Sequence, residues 1–385
     1  MIADPQIALY VHIPWCVRKC PYCDFNSHEL RGELEESAYV AALLADLDGD
    51  LNDFGFLAER RIGTVFFGGG TPSLLTPAAI ARVLDGARRR LPFEADCEIT
   101  LEANPGTIEH GRFAGFAEAG INRVSIGAQT FDNDALARLG RIHNADEARR
   151  AVLEAQDAGI AEINLDLMYA LPEQTLATAE FDIEQAIGLA PTHISHYQLT
   201  LEPNTLFAAR PPRLPDEDSA WDMQESGQRR LAEAGFAQYE VSAYARPGHA
   251  CRHNLNYWQF GDYLGIGAGA HGKLSDPGNA RILRPWKKKL PRSYLQHAAT
   301  AARLGGCEPV AQELLAFEFM LNALRLNAGF GWKTFTDRTG LDRADIAPML
   351  AQAEAHDWLL SDAEGARPTE LGRRFLNNLI ELFLP

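Results

Sequence analysis

The sequence predicts an α/β fold built from parallel βαβ units, followed by a smaller C-terminal region of helices and a short strand pair. Three observations predict it. Short apolar runs alternate with amphipathic helical text through the first two-thirds of the chain. Residues able to carry chemistry fall just after successive apolar runs, and the alternation stops near Arg292. Alternation of this kind admits an open doubly wound sheet or a barrel. Polar residues at strand ends match the barrel rule, by which sites gather at the carboxyl ends of the strands.

Taken in order, Ile7 to Ile13 reads as the first strand, and a cysteine-rich loop follows it directly. Glu33 to Leu51 is helical, with Ala38, Leu43, Leu44 and Leu47 at helical spacing. Thr64 to Phe67 is a buried strand running into Gly68-Gly69-Gly70-Thr71-Pro72, and Pro77 opens a helix to Arg90. The pattern repeats with strand Cys97–Glu102 and helix Ile108–Ala119, then strand Arg123–Ile126, leading to Gln129, and helix Ala145–Ala158. It continues with strand Glu162–Met168, helix Thr175–Leu189 and strand His193–Gln198. The stretch Arg210-Pro-Pro-Arg-Leu-Pro215 is a stiff connector to helix Glu217–Ala234 and a final strand, Gln238–Ala243. Beyond it, helices are expected over Ala311–Leu326, Leu341–Ala355 and Glu370–Leu382, with a strand pair between Trp358 and Thr369. Helices with a small wing make a winged-helix-like α+β domain. The division expected is therefore residues 1–290 and 291–385.

Charge and composition exclude several classes. The formal net charge of −16 lacks the cationic footprint that a nucleic-acid surface needs. Arg281, Arg284, Lys287, Lys288 and Lys289 form one basic run, read as a solvated face or as a contact for an acidic partner or an anionic membrane surface. No stretch approaches the roughly 18 apolar residues of a membrane span. The start, with Asp4 and Pro5, is unlike a signal peptide. Thiols that must stay free suit a reducing cytosol, so a cytoplasmic protein is expected, as a monomer or dimer.

Cys16-Val-Arg-Lys-Cys20-Pro-Tyr-Cys23 places three soft ligands within eight residues. Three is one fewer than a closed zinc site or an ordinary cubane cluster requires. Either a cluster with one open iron forms here, or a zinc site recruits a fourth ligand from Cys97, Cys251, Cys307 or a histidine.

C-x₃-C-x₂-C after a short strand resembles the signature of the radical S-adenosylmethionine (SAM) superfamily. The flanking Tyr10-Val-His-Ile-Pro-Trp-Cys16 and Cys23-Asp-Phe25 resemble its branch of oxygen-independent coproporphyrinogen dehydrogenases and related heme chaperones. The likeness runs over nearly the whole chain. It implies a partial (β/α)6 barrel whose opening the C-terminal domain covers. It also implies a [4Fe–4S] cluster on Cys16, Cys20 and Cys23, with SAM chelating the fourth iron. Gly69, Gly70 and Thr71 would then take the amino group of SAM. Glu102 would meet its ribose or sulfonium, the alternative being a capping or salt-bridged glutamate. Gln129 and Asp166 stand at equivalent strand ends, and Asp166 lies in an apolar run where it needs a definite partner. Arg141 could clamp the SAM carboxylate or be a surface arginine. By resemblance Tyr10, Tyr22, Thr200 and Ala268 also fall at SAM-lining positions.

Two features bear on the branch. Dehydrogenases extend the loop to a fourth cysteine where this chain has Phe25, and they carry an N-terminal extension before the first strand. His253-Asn-Leu-Asn-Tyr-Trp258 resembles the heme-binding motif of the chaperones. That likeness implies His253 as axial ligand and Tyr257 and Trp258 against the porphyrin. Cys251, two residues from His253, is an alternative thiolate ligand, and His271, after a glycine-rich stretch, is a weaker candidate. The bare residues equally suit a structural histidine in an aromatic core. The expectation is a heme carrier delivering to hemoproteins, with a respiratory acceptor expected, and porphyrinogen decarboxylation as the alternative.

Overall fold

The computed structural model describes residues 6–106 and 111–385. β1 (Ile7–Ile13) leads into the cysteine loop, which is pinned at both ends by a short parallel pair, β2 (Trp15–Cys16) and β3 (His28–Glu29). Then follow α1 (Glu36–Asp53), β4 (Ile62–Gly69), α2 (Pro77–Arg88), β5 (Phe93–Ala103), α3 (Phe113–Ala119) and β6 (Arg123–Gln129). The start expected for the third helix, at Ile108, lies outside the described residues. Next come α4 (Asn133–Arg138), α5 (Ala145–Asp157), β7 (Glu162–Tyr169), α6 (Leu176–Gly188), β8 (His193–Gln198), α7 (Leu206–Ala209) and α8 (Glu217–Glu233).

The cause of these elements is local. Apolar residues such as Val65, Leu101 and Leu165 are wholly buried between the sheet and its helices. Thr76 caps α2 with Pro77 in its first turn, Asn144 and Glu147 form a capping box on α5, and Gly120 ends α3 in a left-handed conformation. β1, β4, β5, β6, β7 and β8 pair in parallel in that order, giving the six expected units.

The edges depart from expectation. β9 (Ala237–Gln238) and β10 (Ala243–Ala245) are antiparallel neighbours at the β8 edge. Most of the expected strand Gln238–Ala243 is the turn between them, too short for the crossover that a parallel strand requires. After α9 (Arg252–Trp258), β11 (Asp262–Ile266) adds a parallel strand beside β1. Its glycine-rich text hides it. A Cβ on Gly265 would sit 2.0 Å from the His271 carbonyl oxygen, so the strand must be bare there.

A second sheet follows: β12 (Leu274–Asp276), β13 (Arg281–Lys287) and, after α10 (Pro291–His297), β14 (Leu304–Pro309), all antiparallel. Arg281, Arg284 and Lys287 of the basic run therefore lie on a strand, whose alternation scatters them, and Lys288 and Lys289 follow its end. Arg281 pairs with Asp276, half-buried Arg284 with Glu318, and Lys287 is buried against Asp46 and Asp50. The expected continuous solvated face does not form, because a strand sends neighbouring side chains to opposite faces.

The remainder comprises α11 (Leu315–Ala323), β15 (Phe330–Gly331), α12 (Trp332–Thr339), α13 (Ala347–Ala355), β16 (Leu359–Ser361), β17 (Gly365–Pro368), α14 (Glu370–Arg374) and α15 (Leu376–Glu381). Its own core forms around Phe319, whose ring meets Phe330 and Phe335 edge-on at 5.0 and 5.1 Å. Phe260 and Ile282 join this core, tying it to the first sheet region. The helix expected over Glu370–Leu382 is broken at Phe375, which stacks on Trp358. Among the described residues no helix is long and apolar enough to cross a membrane.

Candidate functional site

The carboxyl ends of β4 to β8 and the cysteine loop enclose one cavity of roughly 440 Å³. All three loop cysteines line it: Cys16 is buried, Cys20 and Cys23 half-buried. The loop holds its shape through its own backbone and through distant anchors. Cys23 N–H donates to Cys20 O (3.1 Å), Leu30 N–H to Cys16 O (2.9 Å), and Phe207 N–H to Pro21 O (3.0 Å). The Asn26 side-chain amide donates to the carbonyls of Ala268 (2.9 Å) and Lys289 (3.0 Å). Burial pushes the Cys16 and Cys23 thiols upward.

Opposite the thiols lies the glycine run at the end of β4. Gly69 N–H donates to Glu102 Oε2 (3.1 Å), Gly70 N–H to Ile13 O (2.7 Å) and Thr71 N–H to Trp15 O (2.8 Å). All three amide donors are consumed internally, so the backbone of the run offers a ligand only carbonyl acceptors, which suits an ammonium group. Gly70 must be glycine, since a Cβ there would lie 2.5 Å from the Trp15 carbonyl oxygen.

Acids and an arginine complete the wall. Glu102, at the end of β5, is pushed up to about 8 by burial and then by Asp166, against the opposing Gly69 hydrogen bond. Asp166 has the definite partners its apolar surroundings demanded: Ser125 Oγ (3.0 Å) and Asn164 Nδ2 (2.8 Å) donate to its two oxygens. Gln129 holds a left-handed backbone (φ 68°) and accepts from Tyr197 OH at 3.0 Å. A non-glycine residue in that region is strained and needs surroundings that hold it. Arg141 is no surface arginine. It donates to Gly127 O (2.7 Å), to Asn104 Oδ1 and to Cys20 Sγ (3.7 Å), and its buried Nε has no partner among the described residues.

Of the residues expected at SAM, the cavity gathers Tyr22, Gly69, Gly70, Thr71, Glu102, Gln129, Arg141, Asp166 and Thr200. Tyr10 lies on an adjoining cavity instead. Ala268 is fully buried behind the loop, with its N–H toward Tyr39 OH. Sequence reasoning missed Asn104 and Tyr197. Period-2 alternation could have found Asn104, which follows Glu102 by two residues at the same strand end.

Of the heme-motif residues, His253 and Tyr257 touch each other, while Trp258 packs elsewhere. His253 is 1% exposed; its Nδ1 pairs with Thr64 Oγ1 (2.8 Å) and its Nε2 with Tyr257 OH (3.0 Å). It therefore presents no free ring nitrogen to either cavity. Tyr257 lines the adjoining cavity, while the Trp258 ring packs under Arg325 at 4.3 Å. Cys251 is buried against Glu98, its thiol pushed up to about 12 by burial.

Comparison with known proteins agrees with this geometry. The model of the radical SAM superfamily matches residues 10–186, and that of the HemN C-terminal domain matches residues 310–375. The chain is 51% identical over 384 residues to the heme chaperone HemW of Escherichia coli, covering 100% of both chains. It is 49% identical over 381 residues to that of Haemophilus influenzae, covering 99% of this chain and 98% of the relative. The solved structure of the Escherichia coli coproporphyrinogen III oxidase HemN, described as a radical SAM enzyme, superposes with a TM-score of 0.82. That match covers 99% of this chain and 90% of the other at 24% identity, and it shows the common fold. A chain with this cysteine loop, these six parallel units and these full-length relatives belongs to the radical SAM superfamily and, within it, to the HemW family.

Proposed function

We propose that the chain is a heme chaperone. It would carry a [4Fe–4S] cluster on Cys16, Cys20 and Cys23, bind SAM and heme beside it, and release heme to an acceptor hemoprotein, expected to be respiratory, in a reducing cytosol. The observation that carries this reading is kinship along the full length, at 51% identity, with a protein named as a heme chaperone. Cluster and SAM are what membership of the superfamily implies, and the cavity suits both. Three soft thiols lining one cavity are a donor set that a [4Fe–4S] cluster would accept. When bound, such a cluster supplies one-electron chemistry to the SAM sulfonium. The acceptor-rich glycine run suits the SAM amino group, and Arg141, with its unpartnered Nε, suits the carboxylate. Phe25, 59% exposed, stands where the dehydrogenases carry a further cysteine.

Glu102 makes SAM affinity depend on pH. With its carboxyl at about 8, it is mostly protonated at neutral pH before SAM binds. A sulfonium beside it favours the ionised form, so binding releases this proton and affinity rises with pH between about 6.5 and about 8.5. The SAM amino group titrates in the same window, so Glu102→Gln should remove one proton's worth of slope, up to about tenfold per pH unit, and leave the rest. Equilibrium dialysis of the reconstituted protein across that range measures this. Identical slopes for the two proteins would remove Glu102 from the SAM contact.

The function itself is tested with anaerobically reconstituted full-length protein. Heme titration should produce a Soret band, the bound heme should pass to an apo-hemoprotein, and coproporphyrinogen should not turn over with SAM and reductant. Turnover without heme transfer would move the assignment to the porphyrinogen dehydrogenases.

A further inference from the structure

A second cavity, roughly 790 Å³, adjoins the first and shares Cys23, Phe25, Gly69 and Glu102 in its wall. That volume is within the range of pockets for single organic ligands. Its other walls bring together Tyr10, His12, Tyr257, Tyr263 and His271, and Lys19 and Lys289 stand at its rim. Flat apolar rings, imidazoles and cations beside a redox-cluster cavity are the complement of an iron tetrapyrrole with anionic propionates.

The imidazoles are not equivalent. His12 is engaged at both nitrogens, by Tyr10 OH (3.1 Å) and Asn26 O (2.9 Å). His253 is engaged at both and buried behind Tyr257. His28 also lines the cavity; it is half-buried, and its Nε2 is buried with no hydrogen-bond partner among the described residues. His271 alone of these rings is exposed, and its ring makes no hydrogen bond among the described residues. Its backbone is nevertheless fixed. Lys287 N–H donates to Ala270 O (2.8 Å), Gly272 N–H to Pro285 O (2.8 Å), and His271 bridges to Trp286.

We propose that the iron of the carried heme is ligated by the His271 imidazole in this second cavity, with the macrocycle against Phe25 and Tyr257 and the propionates toward Lys19 and Lys289. The assignment rests on the heme-chaperone reading and gives it a ligand that His253, as placed here, does not supply. It also sets the heme within reach of the cluster cavity, since Cys23 and Phe25 belong to both walls.

The test uses the full-length, cluster-reconstituted protein titrated with hemin, read by Soret position and by electron paramagnetic resonance. His271→Ala, at an exposed position, should fold normally, lose the imidazole-ligated spectrum and weaken hemin binding at least about tenfold; free imidazole should restore the spectrum. His28→Ala and His253→Gln should keep the wild-type spectrum. An unchanged spectrum in His271→Ala overturns the assignment, as does loss of ligation in His253→Gln with His271 intact. If the wild-type protein binds no hemin at all, the chaperone reading fails with it, so the two failures are told apart.

Discussion

Replacing Cys16, Cys20 and Cys23 together with serine is expected to lower iron from about four atoms per chain to near none in anaerobically reconstituted protein, with sulfide falling in parallel. Serine keeps the size of each side chain but exchanges a soft thiolate for a hydroxyl, a much poorer ligand for iron–sulfur clusters. The loop itself should survive, because backbone groups of Cys16, Cys20 and Pro21, together with the Asn26 amide, anchor it without any of the three sulfurs. The remaining cysteines provide the control. Cys97 and Cys251 are buried and their thiols are pushed up to about 12, so they cannot readily become ligands. Replacing Cys97, Cys251 and Cys307 with alanine should leave the iron content intact. Full iron and sulfide in the first variant would remove the cluster from this loop and, with it, the proposed SAM site.

Lys287→Met should cost about 3–5 kcal/mol, among the largest losses of stability open to a single residue of this chain. Lys287 Nζ lies 2.6 Å from Asp46 and also pairs with Asp50, all three being buried. Arg303 forms ion pairs with both carboxylates as well, at 3.2 and 3.0 Å, but cannot neutralise two charges alone. The loss depends on pH. Asp50 already sits at about 6, raised chiefly by burial, and without Lys287 it rises further. A carboxyl raised on folding favours the folded state at low pH, and that contribution is lost as pH climbs through the folded value. The variant should therefore be closer to wild type near pH 5.5 than near pH 8 when urea midpoints are compared. The effect should reach the site. Asp46 also accepts from Gly267 N–H (3.1 Å) and Tyr294 OH (2.7 Å), and Ala268 O, the next residue, receives the Asn26 anchor of the cysteine loop. Equal loss at both pH values would show that lost packing, not charge, dominates.

Much of the site was legible because its code is local. Cysteine spacing, the apolar alternation that makes six parallel units, and the placing of Glu102, Gln129 and Asp166 at strand ends are all properties of neighbouring residues. The register of a parallel sheet then turns successive strand ends into one cavity, so a one-dimensional list became a wall. What stayed hidden depends on partners far along the chain. Nothing near Lys287 announces that it meets Asp46, 241 residues away, and so a run of cations reads as surface. Nothing within His-Asn-Leu-Asn-Tyr-Trp says that Thr64 will occupy the histidine while Tyr257 lines the second cavity. The glycine-rich strand beside β1 was obscured for the same reason, since its missing side chains answer to the His271 backbone folded over it. Sequence alone therefore determined the family, the fold class and the residues arrayed around the cysteines. Tertiary structure alone decided which polar side chains are buried in pairs and which ring nitrogens of the described histidines are left unpaired, because burial and pairing are set by whatever packs across from a residue, not by its neighbours in the chain.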